Sequence, residues 1–117
     1  MALTVNRQVI RDRSGRIKFW KSDDQSREHY HVGIWIEGTD AELDSIQRVE
    51  YLLHPSFKNN LRKSENRDNK FSISIWTWGY FLIVVTILFK DGRTDSIRYS
   101  LSYDLPDDNG TNYVRVS

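Results

Sequence analysis

The amino-acid sequence predicts an all-β protein, an immunoglobulin-like antiparallel β-sandwich, and three observations support this prediction. Apolar residues alternate with polar ones in several segments, which is typical of strands with one buried and one solvated face. Turn-forming pairs such as Asp91-Gly92 stand between these segments. No long segment has the apolar spacing of a helix. About seven short strands at such spacing fit this sandwich, here without its disulfide.

The N-terminal half is predicted to contain four strands. Val5–Asp12 and Arg16–Lys21 flank a Ser14-Gly15 turn, in which glycine accepts a positive φ angle at little cost. In the next two strands the apolar residues occupy alternate positions, which are Val32, Ile34 and Ile36, then Val49, Tyr51 and Leu53. Between these strands, Thr39 and Glu42 have the spacing of a capping box, which predicts one helical turn.

The uncharged segment Phe71–Phe89 has nearly the length of a membrane-spanning helix. Its first part alternates apolar residues with serines, Thr77-Trp78-Gly79 interrupts it, and its second part is rich in β-branched residues. We therefore predict two strands with a short connection, and no membrane span. Asp91-Gly92 predicts a two-residue hairpin turn before a strand over Arg93–Tyr103, and a last strand is predicted over Tyr113–Val116.

Charge and length narrow the classes of function. Lys and Arg total 17 against 16 Asp and Glu, so the net charge is +1, far from that of a dedicated nucleic-acid-binding protein. Nucleic-acid binding through the basic segment Lys58–Lys70 is therefore disfavoured.

Two polar stretches, Ser22–Arg27 and Lys58–Asn69, are predicted to be loops. No domain boundary is visible, so residues 1–117 are expected to form a single domain.

The chain contains no cysteine, which excludes a disulfide framework, a thiol nucleophile and an iron–sulfur cluster. Small secreted domains more often contain disulfides. In addition, a charged residue, Arg11, directly follows Val9-Ile10, where a signal peptide would continue its apolar core. A cytoplasmic protein is therefore expected.

The histidines suggest two kinds of chemistry, and neither is well supported. His29 and His31 lie on one face of a predicted strand and His54 could add a third zinc ligand, yet no carboxylate is spaced with them. His54-Pro55-Ser56 places a hydroxyl near an imidazole, as in a serine hydrolase, but without a glycine-rich elbow or an orienting acid. We expect a turn at this position, with no metal, no cofactor and no enzymatic activity.

Three motifs carry a resemblance to a known family. Leu53-His54-Pro55-Ser56-Phe57 ends a strand, Trp78-Gly79-Tyr80-Phe81 follows after a spacer, and Val32–Gly38 matches a first core strand with its turn. In these motifs the chain resembles the YEATS domain family, and in its details the prokaryotic branch. The similarity runs from about His29 to Tyr103. It implies an immunoglobulin-like sandwich with binding loops at one end.

The resemblance also implies a ligand and the residues that hold it. Eukaryotic members of the family read acylated lysines on histone tails. By position, Phe57 and Trp78 would enclose the flat acyl group, and Ser56 would donate its hydroxyl to the amide carbonyl. The backbone around Trp78-Gly79, next to Tyr80, would donate a second hydrogen bond, and His54 would position its loop. A further aromatic wall of the family falls near residues 27–30, where Tyr30 is the aromatic residue.

The expected function is therefore a non-enzymatic reader of acetyl- or crotonyl-type lysine on a protein or peptide. The alternative is a protein-interaction module of a bacterial signalling or defence system, whose loops bind a partner without any acyl group.

Overall fold

The structure is a computed structural model that describes residues 3–21 and 28–116, so the predicted loop Ser22–Arg27 lies outside the described residues. The strands are β1 (Thr4–Val9), β2 (Ile17–Lys21), β3 (Glu28–Glu37), β4 (Ile46–Leu52), β5 (Leu61–Ser64), β6 (Ile73–Thr77), β7 (Leu82–Phe89), β8 (Thr94–Ser100) and β9 (Tyr113–Arg115). One short helix, α1 (Asp40–Asp44), and a 3₁₀ helix, Arg67–Asn69, complete the elements. Within these ranges no helix has the length and apolar character that crossing a membrane requires.

The strands form two sheets, as the predicted immunoglobulin-like sandwich requires. One sheet has the order β1-β3-β2-β9, with β6 also paired to β3, and the other has the order β5-β4-β7-β8. All of these pairings are antiparallel except β2 with β9, which is parallel. The uncharged segment from residue 71 to 89 supplies two separate strands, β6 and β7, which confirms the prediction made for it.

The core lies between the sheets and includes the residues of β3 and β4 that were predicted from alternation. Alternate side chains are buried in the second half of β3, at the end of β4 with the loop residue that follows it, and along β7: Val32, Ile34, Ile36, Val49, Tyr51, Leu53, Ile83, Val85 and Ile87. Burial of this apolar surface is the main favourable contribution to folding. The capping box is also confirmed, since the Thr39 side chain accepts from the Glu42 N–H while the Glu42 carboxylate accepts from the Thr39 N–H.

The predicted loop over Lys58–Asn69 is wrong in its centre, which contains β5. This strand pairs with β4 from Val49 opposite Ser64 to Leu52 opposite Leu61. Its one apolar residue, Leu61, is 40% exposed, so β5 has no buried face that would produce an alternating pattern. The backbone hydrogen bonds to β4 define the strand, and these are open to any residue type with a free N–H.

The hairpin between β7 and β8 has a three-residue loop, Lys90–Gly92, and not the predicted two-residue turn. The Phe89 N–H donates to the Arg93 carbonyl at 2.9 Å, and the Gly92 N–H donates to the Phe89 carbonyl at 3.0 Å. Gly92 has a φ angle of 93°, as expected where a type I turn is followed by a left-handed residue.

The connection from β5 to β6 contains a strained corner, Lys70-Phe71, which contacts both sheets. Both residues have left-handed φ angles, 60° and 57°, so Phe71 is not the strand residue that its alternation suggested. The Ile36 N–H donates to the Lys70 carbonyl at 3.0 Å, and the Tyr51 hydroxyl donates to the Phe71 carbonyl at 2.6 Å. Phe71 itself is buried in the core. These contacts from β3 and β4 hold a conformation that costs about 1–2 kcal/mol for each non-glycine residue.

Candidate functional site

Two loops meet at one end of the sandwich. Residues 53–57 follow β4, and residues 78–81 connect β6 to β7. Because β4 and β7 are antiparallel neighbours, with Leu52 opposite Val84, the end of β4 lies beside the start of β7. The loops enclose a cleft of about 70 Å³, which we call the end cleft. Its lining residues are His54, Ser56, Phe57, Thr77, Trp78, Gly79, Tyr80 and Phe81.

All six residues named from the sequence therefore lie together in the lining of the end cleft: His54, Ser56, Phe57, Trp78, Gly79 and Tyr80. That they bind a ligand remains a prediction. Sequence reasoning left out two lining residues, Thr77 and Phe81. Thr77 had a detectable signal, since a polar residue stands at the inward position of β6 directly before the turn, where it is 2% exposed.

The first loop is held by local hydrogen bonds. The Phe57 N–H donates to the His54 carbonyl at 3.0 Å, and the Leu53 N–H donates to the Asn60 carbonyl at 2.7 Å. The Ser56 N–H donates to the Nδ1 atom of His54 at 3.1 Å, so Nδ1 acts as a hydrogen-bond acceptor here. The Ser56 Oγ lies 2.8 Å from the same Nδ1 and therefore donates its proton to it. The imidazole fixes the direction of the hydroxyl.

The second loop is anchored through buried polar groups. The Thr77 hydroxyl donates to the Gly79 carbonyl at 3.1 Å and accepts from the Gly79 N–H at 3.4 Å. The Tyr80 hydroxyl donates to the Tyr103 carbonyl at 2.7 Å, and the two rings make an edge contact at 5.0 Å. Burial raises the pKa of Tyr103 to about 12, so this phenol stays neutral. Trp78 and Tyr80 nevertheless remain 47% and 65% exposed.

The floor of the end cleft is aromatic. Phe57 and Phe81 pack against each other with a centroid distance of 5.2 Å, and the His54 ring makes an edge contact with Phe81 at 6.3 Å. Both phenylalanines are half-buried, so they belong to the protein interior and to the cleft. A flat group with one polar edge fits such a site, because ring faces stack on it while the loops satisfy its polar atoms.

The other sequence candidates lie elsewhere. Tyr30 is in β3, outside the cleft lining, where its ring contacts Phe19, Tyr103 and Tyr113 and its hydroxyl donates to Glu28. The structure therefore does not place Tyr30, the aromatic residue of that segment, in the lining of the end cleft.

His29 and His31 stack on tryptophans of neighbouring strands. The ring centroids of His29 and Trp20 are 3.9 Å apart, and those of His31 and Trp76 are 4.5 Å apart. In both pairs the ring planes are almost parallel. Burial, with a smaller contribution from Lys18, lowers the pKa of His31 and favours its neutral form. Across residues 3–21 and 28–116, no three potential ligands are grouped as a metal site would need.

The fold and the site together define an immunoglobulin-like β-sandwich with an aromatic cleft between two end loops. The family model of the prokaryotic YEATS domain matches residues 30–102, which is more than half of the chain. The protein belongs to the prokaryotic YEATS domain family. A search of curated proteins finds no match.

Solved structures of the yeast protein Yaf9 have the same fold. The Yaf9 YEATS domain bound to H3K27ac is 17% identical with a TM-score of 0.59, over 90% of this chain and 76% of that one. The Yaf9 YEATS domain recognizing an H3K122suc peptide is 17% identical with a TM-score of 0.58, over 84% of this chain and 67% of that one. The yeast AF-9 homolog Yaf9 is 22% identical with a TM-score of 0.56, over 65% of this chain and 56% of that one. The present chain thus spans little more than half the length of that Yaf9 chain.

Proposed function

We propose that this domain is a non-enzymatic reader that binds an acylated lysine, of acetyl or crotonyl type, in the end cleft. The observation that carries the proposal is the meeting, in one cleft, of aromatic rings and a serine hydroxyl oriented by His54. The fold shared with Yaf9, whose structures include acetylated and succinylated histone peptides, supports the same class of ligand.

The hydrogen bonds at Ser56 favour a role that differs from the one implied by resemblance. Its hydroxyl proton is directed at Nδ1 of His54, so the Oγ lone pairs are available to a ligand. Ser56 therefore accepts from the amide N–H of the acylated lysine instead of donating to the carbonyl. The carbonyl oxygen of the acyl group then needs a backbone N–H group as its hydrogen-bond donor. The Tyr80 N–H supports this assignment, since no hydrogen bond uses it in the part of the chain that the structure describes.

The aromatic side chains set the shape of the ligand. Phe57 and Phe81 form the floor, and Trp78 and Tyr80 stand at the opening. A cavity of about 70 Å³ holds the amide end of an acyl group and little more. Longer conjugated chains extend along the exposed rings, where their flat π systems stack. We expect crotonyl-lysine to bind at least as well as acetyl-lysine.

Binding without catalysis is the chemistry that the site supports. A serine nucleophile needs an imidazole that an acid orients and a donor pair for the oxyanion. Among the described residues, His54 has Ser56 as its side-chain hydrogen-bond partner and no carboxylate. The pair therefore positions a hydroxyl and has no proton relay.

The test is a titration of the protein with acetyl-lysine, crotonyl-lysine and unmodified peptides. Trp78→Ala removes one ring at the opening, and we expect a loss of about 1–3 kcal/mol in binding free energy. Ser56→Ala removes one hydrogen bond, so a loss of about 1 kcal/mol is expected. Trp35→Ala is the matched control, because Trp35 lies on β3 outside the cleft and its indole N–H bonds Glu37.

Two results would reject the proposal. If neither acylated peptide binds the wild-type protein, the alternative of a protein-interaction module in a bacterial signalling or defence system takes its place. If the peptides bind and Trp78→Ala and Ser56→Ala bind equally well, the ligand occupies another surface.

A further inference from the structure

A second aromatic cavity lies outside the end cleft, at strands β2, β3 and β9. It has a volume of about 250 Å³ and is lined by Phe19, Glu28, Tyr30, Asp108 and Tyr113. Phe19 pairs with Tyr30 across β2 and β3, while Tyr113 is on β9, the other neighbour of β2. Three rings thus come from three adjacent strands, one carboxylate, Glu28, is on β3, and the other, Asp108, is in the segment before β9. We call this cavity the acidic cage.

The three rings form the walls of the acidic cage. Their centroids are 6.5 Å apart for Phe19–Tyr30, 6.3 Å for Phe19–Tyr113 and 6.4 Å for Tyr30–Tyr113. The rings are inclined to one another by 44°, 69° and 67°. All three rings line the same cavity, so a cation in contact with them lies within the ~6 Å over which a ring face attracts a cation.

The carboxylates give the acidic cage a negative potential. Glu28 accepts from the Tyr30 hydroxyl, and its other oxygen lies 3.9 Å from Nζ of Lys21, so its charge is partly compensated. Asp108 accepts from the Gly110 N–H at 2.8 Å and has no ion pair within the described ranges. Burial raises the pKa of Tyr113, and the charges of Asp108 and Glu28 raise it further.

We propose that the acidic cage is a binding site for a quaternary ammonium group, either a free small molecule or a trimethylated side chain. Ring faces attract a cation and bury apolar methyl groups, while the carboxylates balance its charge; a methylated ammonium therefore uses the three rings better than a primary one, which is more strongly hydrated. A water molecule occupies about 30 Å³, and the cavity thus has room for a group of several heavy atoms. This inference does not depend on the end cleft.

The test is a nuclear magnetic resonance titration of the protein with choline and with dimethylbutanol, its neutral tert-butyl isostere. We expect saturable shifts at Phe19, Tyr30 and Tyr113 with choline, and binding of the isostere that is weaker by about tenfold. Equal binding of the two probes would overturn the proposal, as would shifts that lie away from these residues.

Variants separate the ring from the charge. Tyr113→Leu keeps apolar volume without a π face and should weaken choline binding by about tenfold, while Tyr113→Phe keeps the ring and should bind like the wild type. Asp108→Asn should weaken binding by about threefold. Asp95→Asn, on β8, is the charge-matched control and should have no effect. Unchanged affinity in Tyr113→Leu, with a folded spectrum, would refute the acidic cage.

A comparison of choline with a trimethyl-lysine peptide distinguishes the two sources of the cation. Tighter binding of the peptide identifies a side chain as the ligand, and tighter or equal binding of choline identifies a free molecule. Failure of both to bind would reject the proposal.

Discussion

Replacement of Tyr51 by phenylalanine should destabilise the domain through the Lys70-Phe71 corner. Tyr51 is fully buried, and its hydroxyl donates to the Phe71 carbonyl at 2.6 Å. Tyr51→Phe leaves this carbonyl in the core without its donor, which costs about 1–3 kcal/mol. The loss of a contact that holds a left-handed residue acts in the same direction. We expect the free energy of unfolding to fall by about 2 kcal/mol.

The measurement is equilibrium unfolding in urea of the wild type and the variant. Tyr99→Phe is the control, because it removes from a half-buried tyrosine a hydroxyl group that makes no hydrogen bond in the described part of the chain. It should change the free energy of unfolding by less than about 0.5 kcal/mol. Equal effects of the two substitutions would show that the bond to Phe71 contributes nothing to stability.

Three further predictions concern stability. Ile34→Ala removes a fully buried side chain and should cost about 2–5 kcal/mol, measured by thermal melting, whereas Trp78→Ala should cost less because half of its surface is exposed. Gly92→Ala places a side chain at a φ angle of 93° and should cost about 1 kcal/mol in urea unfolding; an unchanged midpoint would contradict the turn geometry. Because the pKa of His31 is lowered, its stabilising contribution is complete above its ordinary value of 6.5 and falls as the pH drops towards the lower folded pKa. Unfolding curves at pH 7 and pH 5 should therefore differ less in His31→Gln than in the wild type.

The strands with one buried face were predictable because burial of one face produces an alternation of apolar and polar residues in the sequence. Val32, Ile34 and Ile36 in β3 are examples, and all three are in the core. The sequence of β5 has no such alternation, since this strand pairs with β4 through the backbone alone. Phe71 fitted an alternating pattern, yet Tyr51 and Ile36, both distant in sequence, hold it in a corner. Contacts between residues that are distant in sequence produce no pattern in the local sequence.

The candidate site was predictable only in part and for a different reason. The two segments with His54 and Trp78 have no shared periodicity, and the resemblance to the family is what brought them together. The role proposed for Ser56 required the positions of its neighbours, because it rests on the contacts of its N–H and its hydroxyl with one nitrogen of His54. The acidic cage joins Phe19, Tyr30 and Tyr113 from three strands. The pairing of β2 with β9 is parallel, so no hairpin turn in the sequence predicts it.

The contrast between buried Thr77 and its exposed neighbours has an evolutionary consequence. Thr77 anchors the turn inside the sandwich, while Trp78 and Tyr80 extend from it into solvent. Because about half of Trp78 is exposed, substitutions at this residue should disturb folding less than substitutions in the core, so the exposed surface of the turn is less constrained by the scaffold. Lineages that share this sandwich can therefore diverge in what they recognise without passing through unfolded intermediates. The likeness to Yaf9 at 17% identity shows how far sequences diverge while the architecture persists.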